Sequence, residues 1–459
     1  MEFVYIIGFG LLVAFAIAWN LNAMVGAAFA LALLVEPIAS MIFPKLQKLD
    51  YAVTMLFFWI WLIVIARIII GKVEAVAIRP PKPIALFLLF LFSAALGSAY
   101  AMQFAQALVG AKGYFQAWAI PFIFYFLLKD ERSVLVIGVA FLVLAAFQPF
   151  VAGIQAYLWH GQPFFGDRLG GTFGNTLGTG ALMSAFQVTQ ILVIMALMKH
   201  RCIRPIFGAS LVIWVFTPLL WTHAKAVVVL MPVGLMVLFW SEIRERPVYA
   251  LRFVAMGLAL VGFLAFQYYM DEQYYRGSPV GAPESFDAFI DQSLGYAVLG
   301  GGAELNRGTS LVYWWEMHSL LRNPLETLVG HGMGSAKEYG VVQGHLLTDP
   351  EYGRAGMGKA FARLLWEVGI IGAIGLVGAL TTTATAAKRL SRDARIPDIH
   401  RAFLAGYSAV AVMLIVQMLW RADMLESVTF GTFTMFTVGY VLYWIRVTKG
   451  YRDDHIPQA

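Results

Sequence analysis

The chain holds one cysteine, Cys202, in 459 residues, and only 13% of its side chains are charged. A single thiol excludes an intrachain disulfide framework. Its basic neighbours Lys199, His200, Arg201 and Arg204 mark a short inter-helix segment rather than a nucleophile or metal motif. Soluble globular chains carry about 25% charged residues, so the deficit excludes water as the main solvent of the folded chain. Repeats of fixed period and low-complexity tracts are absent as well. His318, His331 and His345 are spaced too widely for a recurrent zinc-ligand motif, and the polar loops lack an Asp-x-Asp element to hold a divalent metal on a phosphate. No metal and no cofactor is implied. The first apolar stretch has neither a basic flank nor a small-residue cleavage site, so it reads as structure rather than as a removed leader.

Apolar side chains are what the chain has in excess: 60% of residues, with a mean hydropathy of +0.73. A membrane-crossing helix needs about 20 such residues, and backbone facing lipid must satisfy its own N–H and C=O groups. The expected fold class is therefore all-α and polytopic, with about twelve or thirteen transmembrane helices. The apolar stretches run over 3–18, 21–36, 51–70, 84–103, 114–128, 133–150, 176–198, 206–221, 223–240, 250–268, 361–382, 402–420 and 428–446.

A formal net charge of +6 does not signal nucleic acid here, because the basic residues sit in short connectors. These are Lys129/Arg132, Lys199/Arg201/Arg204, Arg244/Arg246/Arg252, Lys388/Arg389/Arg392/Arg395/Arg401 and Arg446/Lys449/Arg452. If the helices alternate, all fall on one side, which positive-inside bias makes the cytoplasm. The chain then divides into an N-terminal bundle over 1–268, a large polar loop over 269–360 on the opposite face, and a three-span segment with a cytoplasmic tail over 361–459. Segments 151–175, 221–225 and 421–427 share the loop's face. Within the loop, 283–294 and 310–321 read as helices, the second with Asn306 and Thr309 as candidate caps and Asn323-Pro324 as its stop. Glycines dominate from 330 to 358.

The polar residues of that face carry the candidate chemistry. Arg168 precedes the glycine-rich Gly170-Gly171-Thr172-Phe173-Gly174-Asn175, where backbone N–H groups and a following helix start would suit an anion, unless the arginine merely pairs with Asp167 or snorkels. Lys225, beside His223, lies between two apolar helices with little room for a loop, as an anion-binding or snorkelling lysine. Arg307 precedes the helix expected from Ser310 and would add its bidentate guanidinium to that helix's positive end, with Glu304 as its alternative partner. His318, His331 and His345 are candidate proton acceptors, in competition with Glu304, Glu316, Asp349 and Glu367. Arg67 is the clearest charge inside an apolar stretch, and an interface is its cheaper placement.

In order and placement these stretches resemble the O-antigen ligase and polymerase superfamily of bacterial envelope enzymes. The resemblance rests on Arg168 with Gly170 to Asn175 and on Thr222-His223-Ala224-Lys225-Ala226. It continues through Arg307, Trp314/Trp315, Asn323-Pro324-Leu325 and Gly330-His331-Gly332-Met333-Gly334, and ends on Glu367-Val368-Gly369-Ile370-Ile371-Gly372. It implies a GT-C-like fold in the bacterial inner membrane with a periplasmic loop. It also implies a polyprenyl-diphosphate-linked oligosaccharide donor, a glycan or lipid-linked acceptor, membrane lipids around the chain, and assembly partners such as a chain-length regulator.

Carried over by position, Arg168, Lys225 and Arg307 would hold the diphosphate; Asn175 is a further candidate for that set, and Arg307, Glu367 and, as a substitute from upstream outside the aligned positions, His345 are the candidates for catalysis. Lys225 stands where the family has arginine, keeping the charge without the planar fork. Gly358-Lys359 stands where ligases carry a histidine-asparagine pair ahead of the Glu-x-Gly element, which favours a polymerase of surface polysaccharide over a ligase. A transporter of lipid-linked sugar would be expected to show repeated halves and polar residues within its spans. Arg67 is nearly all this chain offers of those.

Overall fold

The computed structural model describes residues 25–26, 28–29, 32, 49–70, 80–115, 117–159, 169–173, 179–222, 226–248, 262–263, 266, 307–318, 323–336, 338–339, 342–349, 352, 360–418 and 427–453. Helix dominates them, as an apolar solvent requires. In chain order the elements are α1 (Leu49–Ile69), α2 (Lys82–Ala101), α3 (Phe104–Phe115), α4 (Ala119–Phe122) with a π turn (Ile123–Leu127), α5 (Glu131–Trp159) and a 3₁₀ turn (Gly171–Phe173). There follow α6 (Thr179–Lys199), α7 (Pro205–Phe216) with a 3₁₀ turn (Thr217–Leu220), α8 (Ala226–Leu238) and α9 (Trp240–Glu245). The loop contributes α10 (Arg307–Met317), α11 (Pro324–Val329), the antiparallel pair β1 (Glu338–Tyr339) and β2 (Val342–Gln343), and α12 (His345–Thr348). Long helices α13 (Ala360–Leu390), α14 (Asp398–Met418) and α15 (Val428–Asp453) close the chain.

Among the described residues five helices are long and apolar enough to cross a membrane: α2, α5, α6, α13 and α14. They contain the expected spans 133–150 and 402–420 in large part, and 84–103, 176–198 and 361–382 to within a few residues. The stretches 56–69, 205–220 and 229–238 form shorter apolar helices. The expected span 114–128 is not one helix: it is divided among the end of α3, α4 and the π turn. Pro121 has no amide hydrogen with which to continue a ladder, and Ile120 N–H bonds Ala117 O in a tight turn instead. Expected spans 3–18 and most of 250–268 lie outside the described residues, as does the expected loop helix 283–294.

α6 is the central helix, with every residue from Leu182 to Leu197 buried. A helix buried all round has no polar stripe to show, and α6 packs against α7, α8 and α14. Edge-to-face contacts among Phe29, Phe124, Phe141, Phe186, Phe433, Phe436, Tyr407 and Tyr440 fill the space between α5, α6, α14 and α15. Among the described helices α2 packs most extensively against α13. Gly372, Gly375 and Gly378 form a stripe on α13, and at Gly375 a side chain would meet the backbone of Phe90 on α2. Small residues at such a seam let two backbones approach where lipid supplies no hydrophobic drive.

Charge sorts the two ends of the bundle. Lys199 at the end of α6 pairs with Glu242 at 2.8 Å and donates to Leu238 O at 2.9 Å. Lys388 and Arg401 lie near enough to this cluster to act on its charges. His400 reaches Glu131 at 3.2 Å, and Arg446 donates to the Tyr125 and Leu128 carbonyls. The basic connectors therefore meet at one end, where α6 and α13 finish. Arg67 is exposed in the last turn of α1, where a cation complements the helix dipole, and not in the bundle interior. Burial pushes the Cys202 thiol above its usual pKa, which makes it a poor nucleophile.

α13 is kinked at its first third. Gly369 has φ +65° and ψ −172°, an extended left-handed conformation inside an otherwise helical run. The break removes the in-helix donors for the carbonyls just before it. A substitution Gly369→Ala forces a strained φ and drives a methyl against the Leu328 carbonyl. It should cost more than about 3 kcal/mol. At Gly153, where an added methyl meets only ordinary contact with Trp221, Gly153→Ala should be neutral or stabilising by up to about 1 kcal/mol. Thermal melting of both variants in detergent checks the contrast, and equal melting temperatures would count against the kink as described.

Candidate functional site

The kink organises the other end of the bundle. His331 N–H donates to Trp366 O at 2.8 Å, Gly332 N–H to Glu367 O at 3.1 Å, and Ser93 Oγ on α2 to Val368 O at 2.9 Å. Three successive carbonyls ahead of Gly369 thus take partners from outside their own helix. Two of these partners are amides of the glycine-rich loop 330–334. Gly330, at φ +76°, crosses so close to Glu367 and Gly369 that any side chain would strike their backbone. Met333 N–H donates to Ser98 Oγ of α2 at 3.1 Å, and Gly110 of α3 abuts Gly334. The two sequence stretches 330–334 and 367–372 are therefore mated backbone to backbone.

This lock presents three histidines together. His331 and His318 are buried, and their Nε2 atoms lie 3.1 Å apart. His318 Nδ1 lies 2.9 Å from the carbonyl of Trp314, to which it can only donate. A neutral His318 therefore keeps its lone pair on Nε2 and receives the His331 Nε2 proton. Trp314 stacks on His318 with ring centroids 4.7 Å apart, Trp366 meets it edge-on at 4.6 Å, and Tyr352 stands 5.3 Å from His331. His345, half-buried at the start of α12, has its ring 6.2 Å from that of His331. Its amide and Nδ1 lie 2.9 and 3.1 Å from Gln106 Oε1.

Burial lowers the pKa of all three imidazoles. For His331 it acts with the charges of His318 and His345, against Asp349, and brings the pKa to about 3. At His345 burial is opposed by Asp349. All three are neutral at pH 7. His318 has both nitrogens engaged, and His331 is sealed in. His345 Nε2 alone combines a lone pair with a partly exposed ring.

Other polar atoms surround the pair. Trp314 Nε1, Trp366 Nε1, Ser335 Oγ and both Glu367 carboxylate oxygens are buried without hydrogen bonds among the described residues. Arg363 Nε stands 3.4 Å from Glu367 Oε1, an ion pair rather than a hydrogen bond. Glu367 is fully buried, so its carboxylate meets Arg363 and not the surface. Among the described residues no three His, Cys, Asp or Glu side chains are arranged to hold a metal ion.

A second anchored element lies on α5 and α6. Gln155 Oε1 accepts Gly171 N–H at 2.7 Å and its Nε2 donates to Gly171 O at 2.9 Å. Gln148 accepts Thr172 N–H at 2.9 Å and donates to Thr172 Oγ1 at 2.6 Å. Phe173 N–H bonds Gly170 O. The amides of 171–173 are thus occupied within the protein, while the rest of the expected anion segment, Arg168 and 174–175 included, lies outside the described residues. The turn is read by two buried glutamines, and Gly171 packs on Met183 of α6. On the adjacent residue, Ser184 Oγ lies 2.6 Å from Thr222 Oγ1. The segments that follow Arg168 and precede Lys225 are therefore fastened to neighbouring residues of α6, at its end away from the basic connectors.

Of the site residues expected from sequence, Arg168, Asn175, His223 and Lys225 lie outside the described residues, as does Asn306. Arg307 opens α10, so this helix begins before the expected Ser310, Thr309 lies inside it rather than capping it, and it ends at Met317 rather than 321. Pro324 does not simply stop a helix. It starts α11, where its fixed φ and missing N–H suit a first-turn position. His345 and Glu367 stand in the cluster around the kink. Sequence reasoning missed Gln106, Ser93, Gln148, Gln155 and Arg363. A glutamine within an apolar run was the available signal for three of them.

Fold and apolar surface together define an α-helical, multi-pass class of membrane protein. No protein-family model matches the chain, and no characterised protein matches it in sequence.

Between pH 6.5 and about 3 the unfolded chain binds a proton at His331 that the folded chain refuses. Stability is therefore full above pH 6.5 and falls as pH drops through that window, by up to about 1.4 kcal/mol per pH unit. His331→Gln keeps an N–H donor for His318 but cannot titrate. It should narrow the gap in melting temperature between about pH 7.5 and about pH 5.5. Melting in detergent at both values measures it, and an undiminished gap would place the acid sensitivity elsewhere.

Proposed function

We propose that this chain is a GT-C-like membrane glycosyltransferase that polymerises polysaccharide repeat units on the outer face of the bacterial inner membrane, from a polyprenyl-diphosphate-linked donor. The observation that carries this reading is the neutral, half-buried His345, held at the bundle end opposite the basic connectors beside buried polar atoms of Trp314, Trp366 and Ser335 that lack a hydrogen bond among the described residues. Buried polar groups without partners cost about 1–3 kcal/mol each, so such a cluster favours a ligand rich in hydroxyls. The opposite, basic end is the cytoplasmic one by positive-inside bias. Outside the cytoplasm no nucleotide sugar is at hand, whereas a lipid diphosphate donor arrives already activated.

In this mechanism the acceptor hydroxyl attacks the anomeric carbon of the carrier-linked sugar. A new C–O bond forms as the bond to the diphosphate oxygen breaks, with inversion. His345 Nε2 takes the hydroxyl proton, and the polyprenyl diphosphate leaves with the bonding electrons. Arg168, Lys225, Arg307 and Asn175 are assigned to the departing diphosphate, whose growing charge they stabilise electrostatically. Glu367 serves through its ion pair with Arg363 and its place at the kink, since its carboxylate is sealed from solvent.

Purified protein in nanodiscs, given a lipid-linked oligosaccharide, tests the assignment. Longer glycans are expected. Transfer to lipid A core would make the chain a ligase, and movement across the bilayer without covalent change would make it a transporter. Arg307→Ala should cut chain extension at least about 100-fold with membrane insertion intact. Full-length polymer from that variant would sink the proposal.

A further inference from the structure

Gln106 sits on α3 at 4% exposure, among apolar neighbours. A buried carboxamide is costly unless bonded, and this one is spent on a single residue. Its Oε1 accepts the backbone N–H of His345 at 2.9 Å and meets the ring Nδ1 of the same residue at 3.1 Å. A backbone amide can only donate, so the shared atom is the amide oxygen and Nδ1 must also be a donor. A neutral imidazole carries one N–H, which leaves the lone pair of His345 on Nε2.

We propose that Gln106 is the positioning residue of the His345 base: it holds the imidazole in the Nδ1–H tautomer and so fixes Nε2 as the atom that accepts the substrate proton. The proton-accepting role rests on the glycosyl-transfer reading above; the tautomer does not. Both partners ride on elements locked to each other. Gly110, one turn further along α3, lies against Met333 and Gly334. Leu346 N–H bonds Ser335 O at 3.2 Å, and Gly344 packs on the same carbonyl. Among the described residues the charged and titratable groups facing His345 are Asp349, which follows α12, and His331 of the glycine loop, with His318 behind it. Gln106 adds a neutral acceptor from α3, which orients the ring without adding a charge beside it.

Nitrogen-15 spectra of the histidine rings read the tautomer directly in the full chain in nanodiscs, His345 being assigned by the signal lost in His345→Gln. A bare Nε2 is expected, and a bare Nδ1 or a ring averaged over both tautomers overturns the proposal. This measurement uses the unaltered binding pair, so it decides even if substitutions at Gln106 do not fold. Gln106→Glu supplies the second arm: a carboxylate beside Nδ1–H stabilises the imidazolium. Carbethoxylation of His345 by diethyl pyrocarbonate, followed by mass spectrometry, should then reach half its maximal rate at a pH about one unit higher. An unmoved midpoint in a folded variant overturns the proposal. With active protein, the acid limb of chain extension should rise by the same amount. If the ring spectra and the carbethoxylation shift hold but no glycan is extended by the parent chain, the tautomer assignment stands and the reaction assigned to it falls.

Discussion

A carbonyl that loses its helical partner inside an apolar bundle has no water to turn to. The kink at Gly369 creates that situation for consecutive carbonyls of α13, and the loop 330–334 and Ser93 resolve it. An unmet buried acceptor costs about 1–3 kcal/mol, so releasing the loop would cost two hydrogen bonds and two backbone crossings at once. The loop is therefore part of the bundle's hydrogen-bond ladder, although it contains little regular structure of its own. The positions of the three histidines follow from that one constraint. His331 is itself one of the donors, His318 bonds His331, and His345 starts the short helix that bonds back to Ser335.

The same economy explains why the site is at one end. α6 and α13 both start at that end and both finish among the basic connectors. Charged connectors are tolerated where they reach headgroups or water, and long cationic side chains there complement helix C-termini. At the starting end buried polar side chains fasten turns and loops: Gln148 and Gln155 bond the 171–172 turn, Gln106 bonds the amide of His345, and Ser184 Oγ bonds Thr222 Oγ1. An apolar interior makes each of these bonds strong and each error expensive, so a handful suffices to fix loops that would wander in water.

Several of these features were legible from sequence, and the reasons for the misses are physical. Apolar stretches located α2, α5, α6, α13 and α14 because hydropathy over about 20 residues is a collective signal. The glycine stretches 330–334 and 367–372 stood out, but as two motifs; that they are one backbone crossing depends on φ and on proximity, which composition does not carry. The glycines at 170–171 suggested an anion cradle, whereas the amides of Gly171 and Thr172 answer to Gln155 and Gln148. A glutamine in an apolar run announces only that it must be bonded, and its partner lies many residues away. Pro324 misled because proline ends one helix and begins another with equal ease.

The division of labour among the histidines comes from what occupies their nitrogens and how deep they lie. A ring with both nitrogens engaged can pass orientation on but cannot take a new proton without breaking a bond, and His318 is in that position. A buried ring with one open nitrogen, such as His331, resists protonation because the charge would be poorly solvated. His345 has one nitrogen held by a neutral amide and one left open on a half-buried ring, so protonation there costs least. The aromatic wall of Trp314, Trp366 and Tyr352 keeps the first two rings dry, and dryness is what keeps them neutral. Of these three imidazoles, His345 is thereby the one with an open nitrogen within reach of solvent and a second nitrogen held by a helix of the bundle itself.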